Sequence, residues 1–378
     1  MSKSYRDGLP ISPENFVDQL MRLKRGSIGR RDFLGLTGLG IATAVMAREL
    51  GIMPTPAFAA ENLGDRMSIA TWPNYHDPQT FENFKKDTGV AVEVNVFGSN
   101  EEMLAKLQAG ARGYDIVVPS TYIVEVLVAT NLALPIHHRY LTNWQNLSAV
   151  FLDRGFDPGN RYTVPWLWGI TGFSYRRDKV PDPIPSWGIF LDPRYRGKMT
   201  QMDDGRDVLG SWLRYHGHSL NSINPAELEV AERDAIAAKK NLKAYISAPV
   251  KGQLISGDVW IAQLWNGDAE QARMEQPELG YVVPKEGCTI WLDSLVMPRG
   301  APHPRAAHEF MNYILRPDVE AAISTATGYG TPNHEAIKLI EHPVPYPTGE
   351  EMARLEYQRD LGRDTATWDQ LWTEIKSA

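Results

Sequence analysis

Apolar and polar residues follow two different periods along the chain after residue 60. Residues 67–72 form a short apolar run that predicts a strand, and Phe81 and Phe84 lie at helical spacing within the segment 78–86. Residues 91–97 alternate between apolar and polar side chains, as expected of a half-buried strand. This stretch therefore predicts a strand, a helix and a second strand.

The next segment repeats this order. Ser99 and Glu102 predict a capping box at the start of a helix that ends at Gly110, and residues 115–118 form a short buried strand. The order βαβαβ predicts a parallel sheet with right-handed crossovers.

Two strand ends in this predicted sheet combine an aromatic residue with hydrogen-bonding groups. They are Trp72-Pro73-Asn74-Tyr75 and Pro119-Ser120-Thr121-Tyr122. Ligands of open parallel sheets bind beyond the carboxyl ends of the strands, so these segments are candidates for a binding site.

A second series of strands and helices is predicted from about Ile170 onward. The pattern predicts strands at 198–200 and 295–297 and helices at 208–216, 225–240 (capped by Asn224), 268–275 and 303–315. The chain is therefore predicted to be of the α/β class.

Composition supports a globular protein of more than one domain. The chain has 378 residues, of which 43% are hydrophobic and 22% are charged. Its net charge of -7 disfavours nucleic acid and favours cationic partners. The single cysteine, Cys288, excludes an internal disulfide.

The N-terminal segment predicts an export signal. Arg30 and Arg31 precede the uncharged stretch 33–47, and Ala57-Phe58-Ala59 follows as a cleavage site between small residues. We therefore expect residues 1–59 to be a twin-arginine signal, cleaved near Ala59/Ala60, and the mature protein to be periplasmic. The alternative is an N-terminal helix that stays in the mature protein. Removing 59 residues, with eight basic and five acidic side chains, leaves 319 residues with a net charge of -10.

Catalytic and metal-binding motifs are missing from the sequence. No metal-ligand spacing, nucleophile elbow, phosphate loop or dinucleotide fingerprint occurs, and the histidine pairs 137–138 and 216–218 are predicted to be surface groups. Cys288 has no histidine near it in sequence, so it is predicted to be a small apolar core residue and not a nucleophile. We expect no enzymatic activity, no cofactor and no metal.

Aromatic residues and carboxylates occur together at several positions. Trp265 lies three residues before Asp268, Trp291 lies two residues before Asp293, and the segment 203–207 contains three acids. Each tryptophan could instead be a core residue, and Asp204 or Asp207 could cap the following helix. Together these groups predict a pocket for an organic cation, because indole faces attract ammonium groups and carboxylates pair with them.

Several longer segments resemble the periplasmic spermidine/putrescine-binding proteins of ABC importers. They are Tyr114–Tyr122, Pro165–Gly169, Trp265–Gly267, Pro284–Gly287, Trp291–Ser294, Leu315–Asp318 and Gly328–Asn333. The resemblance covers nearly all of the chain after Trp72. It implies a two-domain periplasmic-binding-protein fold of type II, in which each domain is a mainly parallel sheet flanked by helices and a hinge joins the two. The implied lobes are 60–171 plus 294–337 and 172–293 plus 338–378.

The resemblance also implies a set of ligand-binding residues in the cleft between the lobes. They are Trp72, Tyr75, Ser120, Tyr122, Asp204, Asp207, Trp265, Asp268, Trp291, Asp293, Tyr329 and Gln358. Pro73 stands where spermidine binders have a hydroxyl residue, Asp207 where a longer Glu is usual, and Cys288 where a glycine is usual. Asp268 is similar to the acid found in putrescine-type sites.

The resemblance implies a polyamine ligand, an inner-membrane ABC permease as partner and a monomeric protein. Two alternatives stay open. One is a binding protein of the same fold for another organic cation, an amino acid or an opine, for which Arg206 is the candidate counter-ion of a ligand carboxylate. The other is a periplasmic enzyme exported after folding around a cofactor.

Overall fold

The computed structural model describes residues 63–181, 185–247, 249–341 and 347–378. Residues Leu63–Ala378 form one compact unit. The predicted export signal, residues 1–59, lies outside the described residues. Within the described ranges, no helix combines the length and the apolar character needed to cross a bilayer.

Strands and helices alternate over most of the chain, as the sequence pattern predicts. The strands are β1 (Arg66–Thr71), β2 (Ala91–Val96), β3 (Ile116–Val117), β4 (Ala133–Leu134), β5 (Thr163–Arg176), β6 (Met199–Gln201), β7 (Leu242–Tyr245), β8 (Ile261–Trp265), β9 (Leu279–Val282), β10 (Thr289–Pro298) and β11 (Glu356–Tyr357). The α-helices are α1 (Pro78–Thr88), α2 (Asn100–Gln108), α3 (Thr121–Ala129), α4 (Gly205–Tyr215), α5 (Pro225–Lys239), α6 (Val250–Ser256), α7 (Asn266–Glu275), α8 (Pro304–Ile314), α9 (Pro317–Thr327), α10 (His334–Ile337), α11 (Gly349–Met352) and α12 (Thr365–Ser377).

Side-chain caps fix the start of several helices. Ser99 accepts a hydrogen bond from the Glu102 amide at the start of α2, and Asn224 caps α5. The predicted capping box at α2 is only half formed, because the Glu102 carboxylate accepts from the amide of Gly98 instead of that of Ser99. Helix α4 begins three residues before its predicted start because Asp204 caps it.

The sheet contains two parallel segments joined by two long antiparallel strands. The strand order is β2-β1-β3-β10-β5-β8-β6-β7, with β4 and β11 paired to β10 and β9 paired to β5. Strand β1 is parallel to β2 and β3, which confirms the predicted βαβαβ unit at 67–118. Strand β6 is parallel to β7 and β8. Strands β5 and β10 are antiparallel to each other and lie between these segments.

Strand β5 differs from the prediction. A new series of elements was expected to begin near Ile170, but β5 runs without a break from Thr163 to Arg176, and nearly all of its side chains are buried. A strand buried on both faces shows no alternation, so the sequence pattern does not mark its ends.

Separate hydrophobic cores lie on the two sides of β5 and β10. One core contains Phe84, Trp166 and Phe310, and a second contains Trp187 and Trp212. Smaller clusters accompany each of them. Cys288 lies in the second core with 1% of its surface exposed, which confirms its prediction as a small apolar residue.

Candidate functional site

A cavity lies where the carboxyl ends of β1 and β3 meet strand β10 and the start of α4. It encloses about 500 Å³, part of it open to solvent, and is lined by Trp72, Pro73, Tyr75, Asn100, Ser120, Asp204, Asp207, Trp265, Thr289, Trp291, Asp293, Tyr329 and Gln358. Ten of the twelve residues predicted for the site are in this set. The position agrees with the rule that ligands bind at strand ends.

Five aromatic rings line the cavity in two groups, Trp72 with Trp265 and Tyr75 with Trp291 and Tyr329. Trp72 and Trp265 meet edge to face at 6.2 Å between ring centroids. Tyr329 lies at 4.9 Å from Tyr75 and at 5.3 Å from Trp291. The Trp72 indole is fixed by a hydrogen bond of 2.9 Å from Nε1 to the Val118 carbonyl. These rings present faces and edges suited to methylene groups and cations.

Two glycines provide the space for these rings. A Cβ at Gly169 on β5 would lie 2.6 Å from Cζ2 of Trp291, and a Cβ at Gly267 would lie 2.3 Å from the ring of Tyr329. Such distances are far below van der Waals contact. In the segments Trp166-Leu-Trp-Gly169 and Trp265-Asn-Gly267, any residue larger than glycine at the last position would therefore displace one of the cavity rings.

Asp293 forms one acidic group of the cavity. It is 4% exposed, and Ser120 Oγ donates a hydrogen bond of 2.7 Å to its Oδ1. Burial raises the pKa of Asp293 to about 7, against smaller lowering contributions from the hydroxyls of Ser120 and Tyr75. This carboxyl is poised to ionise fully when a cation binds beside it.

Asp204 and Asp207 form the second acidic group. Asp204 accepts hydrogen bonds from the amides of Arg206 and Asp207, so it is the helix cap that the sequence allowed. Thr289 Oγ1 and Gln358 Nε2 donate to Oδ1 of Asp207, at 3.0 and 3.3 Å.

Burial is the main cause of the raised pKa of both carboxyls. The pKa of Asp207 is raised further by the charge of Asp204, and that of Asp204 by the charge of Glu101.

The charged side chains that line the cavity are all acidic. Three carboxylates line it, and none of its thirteen lining residues, all within the described ranges, is Lys, Arg or His. Arg206 does not line it, because its guanidinium stacks between the rings of Tyr122 and Trp368. The cavity is therefore suited to a cation and lacks a side-chain counter-ion for a ligand carboxylate.

Two predicted site residues, Tyr122 and Asp268, do not line the cavity. Tyr122 is 5% exposed and packs in a core cluster, where its hydroxyl is hydrogen-bonded to Glu101 and Asn100. Asp268 is 1% exposed and accepts a hydrogen bond of 3.2 Å from the Tyr329 hydroxyl, which places it behind that ring. Burial raises the pKa of Asp268 to about 6.

The set of predicted site residues omitted three residues that line the cavity: Pro73, which follows Trp72 in the segment already identified, Asn100 and Thr289. Thr289 shares one face of β10 with Trp291 and Asp293, so the alternation of the strand could have identified it. Asn100 binds the Ser120 amide through Oδ1 at 3.1 Å, and its position next to a helix cap gave no indication of this role.

His137 and His138 are exposed and His216 and His218 are partly exposed. His216 pairs with Asp234, at 2.8 Å, and no cluster of potential metal ligands occurs among the described residues.

Comparisons with known proteins agree with these observations. The profile of the bacterial extracellular solute-binding protein family matches residues 79–352. A spermidine/putrescine-binding periplasmic protein of Salmonella typhimurium is 34% identical over 88% of this chain and 97% of its own. A putrescine/cadaverine-binding protein of Pseudomonas aeruginosa is 30% identical over 84% of this chain and 95% of its own.

Solved structures show the same fold. A putative spermidine/putrescine ABC transporter protein from Listeria monocytogenes superimposes with a TM-score of 0.79 at 32% identity, over 83% of this chain and 99% of the other. The relatives from Salmonella typhimurium and Pseudomonas aeruginosa are both named as binding proteins. On the extent of the family match and of these alignments, the chain belongs to the bacterial extracellular solute-binding protein family.

Proposed function

We propose that this protein is the periplasmic binding component of an ABC importer and captures a di- or polyamine. The observation that carries the proposal is the cavity itself, which combines five aromatic rings with three carboxylates and no basic lining side chain. Relatives named as spermidine/putrescine- and putrescine/cadaverine-binding proteins support it.

The geometry suggests how a flexible cationic chain binds. The methylenes lie against Trp265, Trp291 and Tyr329. Each cation–π contact between a ligand ammonium group and one of these rings contributes about 0.5 to 2 kcal/mol. One terminal ammonium pairs with Asp293 and the other with Asp204 and Asp207, at about 1.5 to 3 kcal/mol for each charge-assisted hydrogen bond. A micromolar dissociation constant requires about -8 kcal/mol, so these contacts leave a surplus that offsets ligand ordering and desolvation.

The lobes are proposed to be 60–171 plus 294–337 and 172–293 plus 338–378. Two observations support the crossing points. Strand β5 passes from the first core, which contains Trp166 and Leu167, to the second, which contains Trp168 and Ile170, a few residues before 171/172. The register of β10 shifts between Asp293 and Ser294. Ligand bridging of acids on both sides closes the hinge and presents a closed surface to an inner-membrane permease. Twin-arginine export and a monomeric state complete the proposal.

Isothermal titration calorimetry with putrescine, cadaverine, spermidine and spermine tests the function. We expect at least one of them to bind with a micromolar or lower dissociation constant. The matched control is 1,4-butanediol, which has the length of putrescine but no charge and is expected to give no heat. Absence of heat with all four amines at millimolar concentration refutes the polyamine assignment. Binding of an amino acid or opine instead identifies the alternative ligand class.

A further inference from the structure

Arg206 lies in the first turn of α4, between the two acids Asp204 and Asp207. It is 8% exposed although it does not line the cavity. Its Nη2 donates to Oδ1 of Asn221 at 3.0 Å and to the Arg359 carbonyl at 3.1 Å. These contacts, and the Trp368 ring 5.0 Å from Cζ, hold the guanidinium on the side of the second core.

The opposite face of the guanidinium contacts the other lobe. Its Cζ lies 5.1 Å from the centroid of Tyr122, on α3. The Tyr122 hydroxyl donates to Oε1 of Glu101 at 2.8 Å and accepts from Nδ2 of Asn100 at 3.2 Å, so residues of the first lobe fix the ring. Three residues further along α3, Glu125 accepts a hydrogen bond of 3.2 Å from the Asp360 amide.

This contact region adjoins the wall of the cavity. Arg359, whose carbonyl Arg206 binds, follows Gln358, which donates to Asp207. Asn100, which binds the Tyr122 hydroxyl, lines the cavity from the first lobe. Ligand contacts and lobe contacts therefore share the same short segments.

We propose that Arg206 is a positioning residue that latches the two lobes together around the ligand by stacking on Tyr122. The inference rests on the proposed function and on the proposed lobes. A contact formed only in the closed form raises ligand affinity by favouring that form, even when it does not touch the ligand.

Charge alone predicts the opposite effect. Arg206 is a cation beside carboxylates that are to bind ammonium groups, so removing its charge should strengthen the binding of a polyamine. The latch predicts weaker binding, by about tenfold for a desolvated cation–π contact. The sign of the change therefore separates the two effects.

The test is a thermodynamic cycle on the full protein with putrescine and spermidine. Affinities of the wild type, Arg206→Met, Tyr122→Leu and the double variant are measured by calorimetry, and small-angle scattering follows the decrease in radius of gyration on ligand addition. Arg161→Met is the matched control, because exposed Arg161 stacks on its neighbour Tyr162 at 5.3 Å within one lobe. It should leave affinity unchanged.

We expect each single variant to weaken binding by about tenfold and the double variant to be no weaker than either. The decrease in radius of gyration should be smaller at equal ligand saturation. Unchanged or tighter binding by Arg206→Met overturns the latch, as do additive losses in the double variant. If Arg206→Met does not fold, Tyr122→Leu gives the answer from the opposite lobe. A wild type that binds none of putrescine, cadaverine, spermidine and spermine overturns the proposed function as well, whereas wild-type binding with a tighter Arg206→Met overturns the latch alone.

Discussion

Polyamine affinity should fall steeply as the pH decreases from 8 to 6. Asp293 is buried against Ser120 and Tyr75, and burial raises its pKa to about 7. A protonated carboxyl cannot form an ion pair with an ammonium group. The ligand amines, with pKa values of about 10 like that of lysine, stay charged throughout this range.

The size of the effect follows from the pKa of Asp293. At pH 6 about one carboxyl in eleven is ionised and at pH 8 about ten in eleven, so this group alone weakens binding about tenfold at pH 6. The raised pKa values of Asp204 and Asp207 act in the same direction, which makes tenfold a lower bound. At pH 7, binding should release about half a proton from Asp293 alone.

Calorimetry at pH 6, 7 and 8, in pairs of buffers with different ionisation enthalpies, measures both affinity and proton release. The variant Asp293→Asn should lose about 1.5 to 3 kcal/mol of binding free energy at pH 8. It should also depend less on pH than the wild type. Equal affinity at pH 6 and 8, or an unchanged pH dependence in Asp293→Asn, contradicts the assignment of Asp293 as an ammonium partner.

Other changes test separate parts of the site. Gly169→Ala should lower stability by about 1 to 3 kcal/mol and weaken binding by displacing Trp291, whereas Gly252→Ala, with no atom within 4 Å of the new Cβ, should not destabilise in thermal melts. Asp204→Asn should keep the cap and lose affinity, while Asp204→Ala should also cost about 1 kcal/mol in denaturant unfolding. Cys288 should resist thiol reagents until the protein unfolds, since burial raises the pKa of its thiol; labelling of the native protein contradicts this. The pKa of Asp293 is higher in the native than in the unfolded protein, so the stability that its protonated form contributes is lost as the pH rises through about 7. At pH 8 without ligand, Asp293→Asn, which stays neutral, should therefore melt at least about 2 °C higher than the wild type.

Local sequence signals predicted the elements that frame the site. Alternation at residues 91–97 and the caps at Ser99 and Asn224 act over a few residues, so they could be read directly. The approach of Trp72 and Trp265 to within 6.2 Å depends on pairing between distant strands, and the pattern alone gave no distance. Resemblance to a known family supplied the set of residues that these pairings bring together.

The differences have physical causes at particular residues. Tyr122 was expected in the cleft, but its ring packs in a core cluster and its hydroxyl is hydrogen-bonded to Glu101 and Asn100. Asp268 was expected beside the ligand, but the Tyr329 ring covers it. The direction in which a side chain points, and whether a ring from a distant part of the chain lies over it, depend on the folded backbone. Local sequence patterns do not specify either of them.

Strand β10 has a consequence for how the protein folds. Leu295 and Met297 contribute to the first core and Ile290 and Leu292 to the second, and the partner strand β5 comes from a distant part of the chain. Neither core is complete until the chain has been synthesised beyond residue 298. Long-range pairing of this kind slows folding, because the entropy of loop closure is lost before the contacts form. A truncated chain that ends before β10 should therefore yield neither core in stable form.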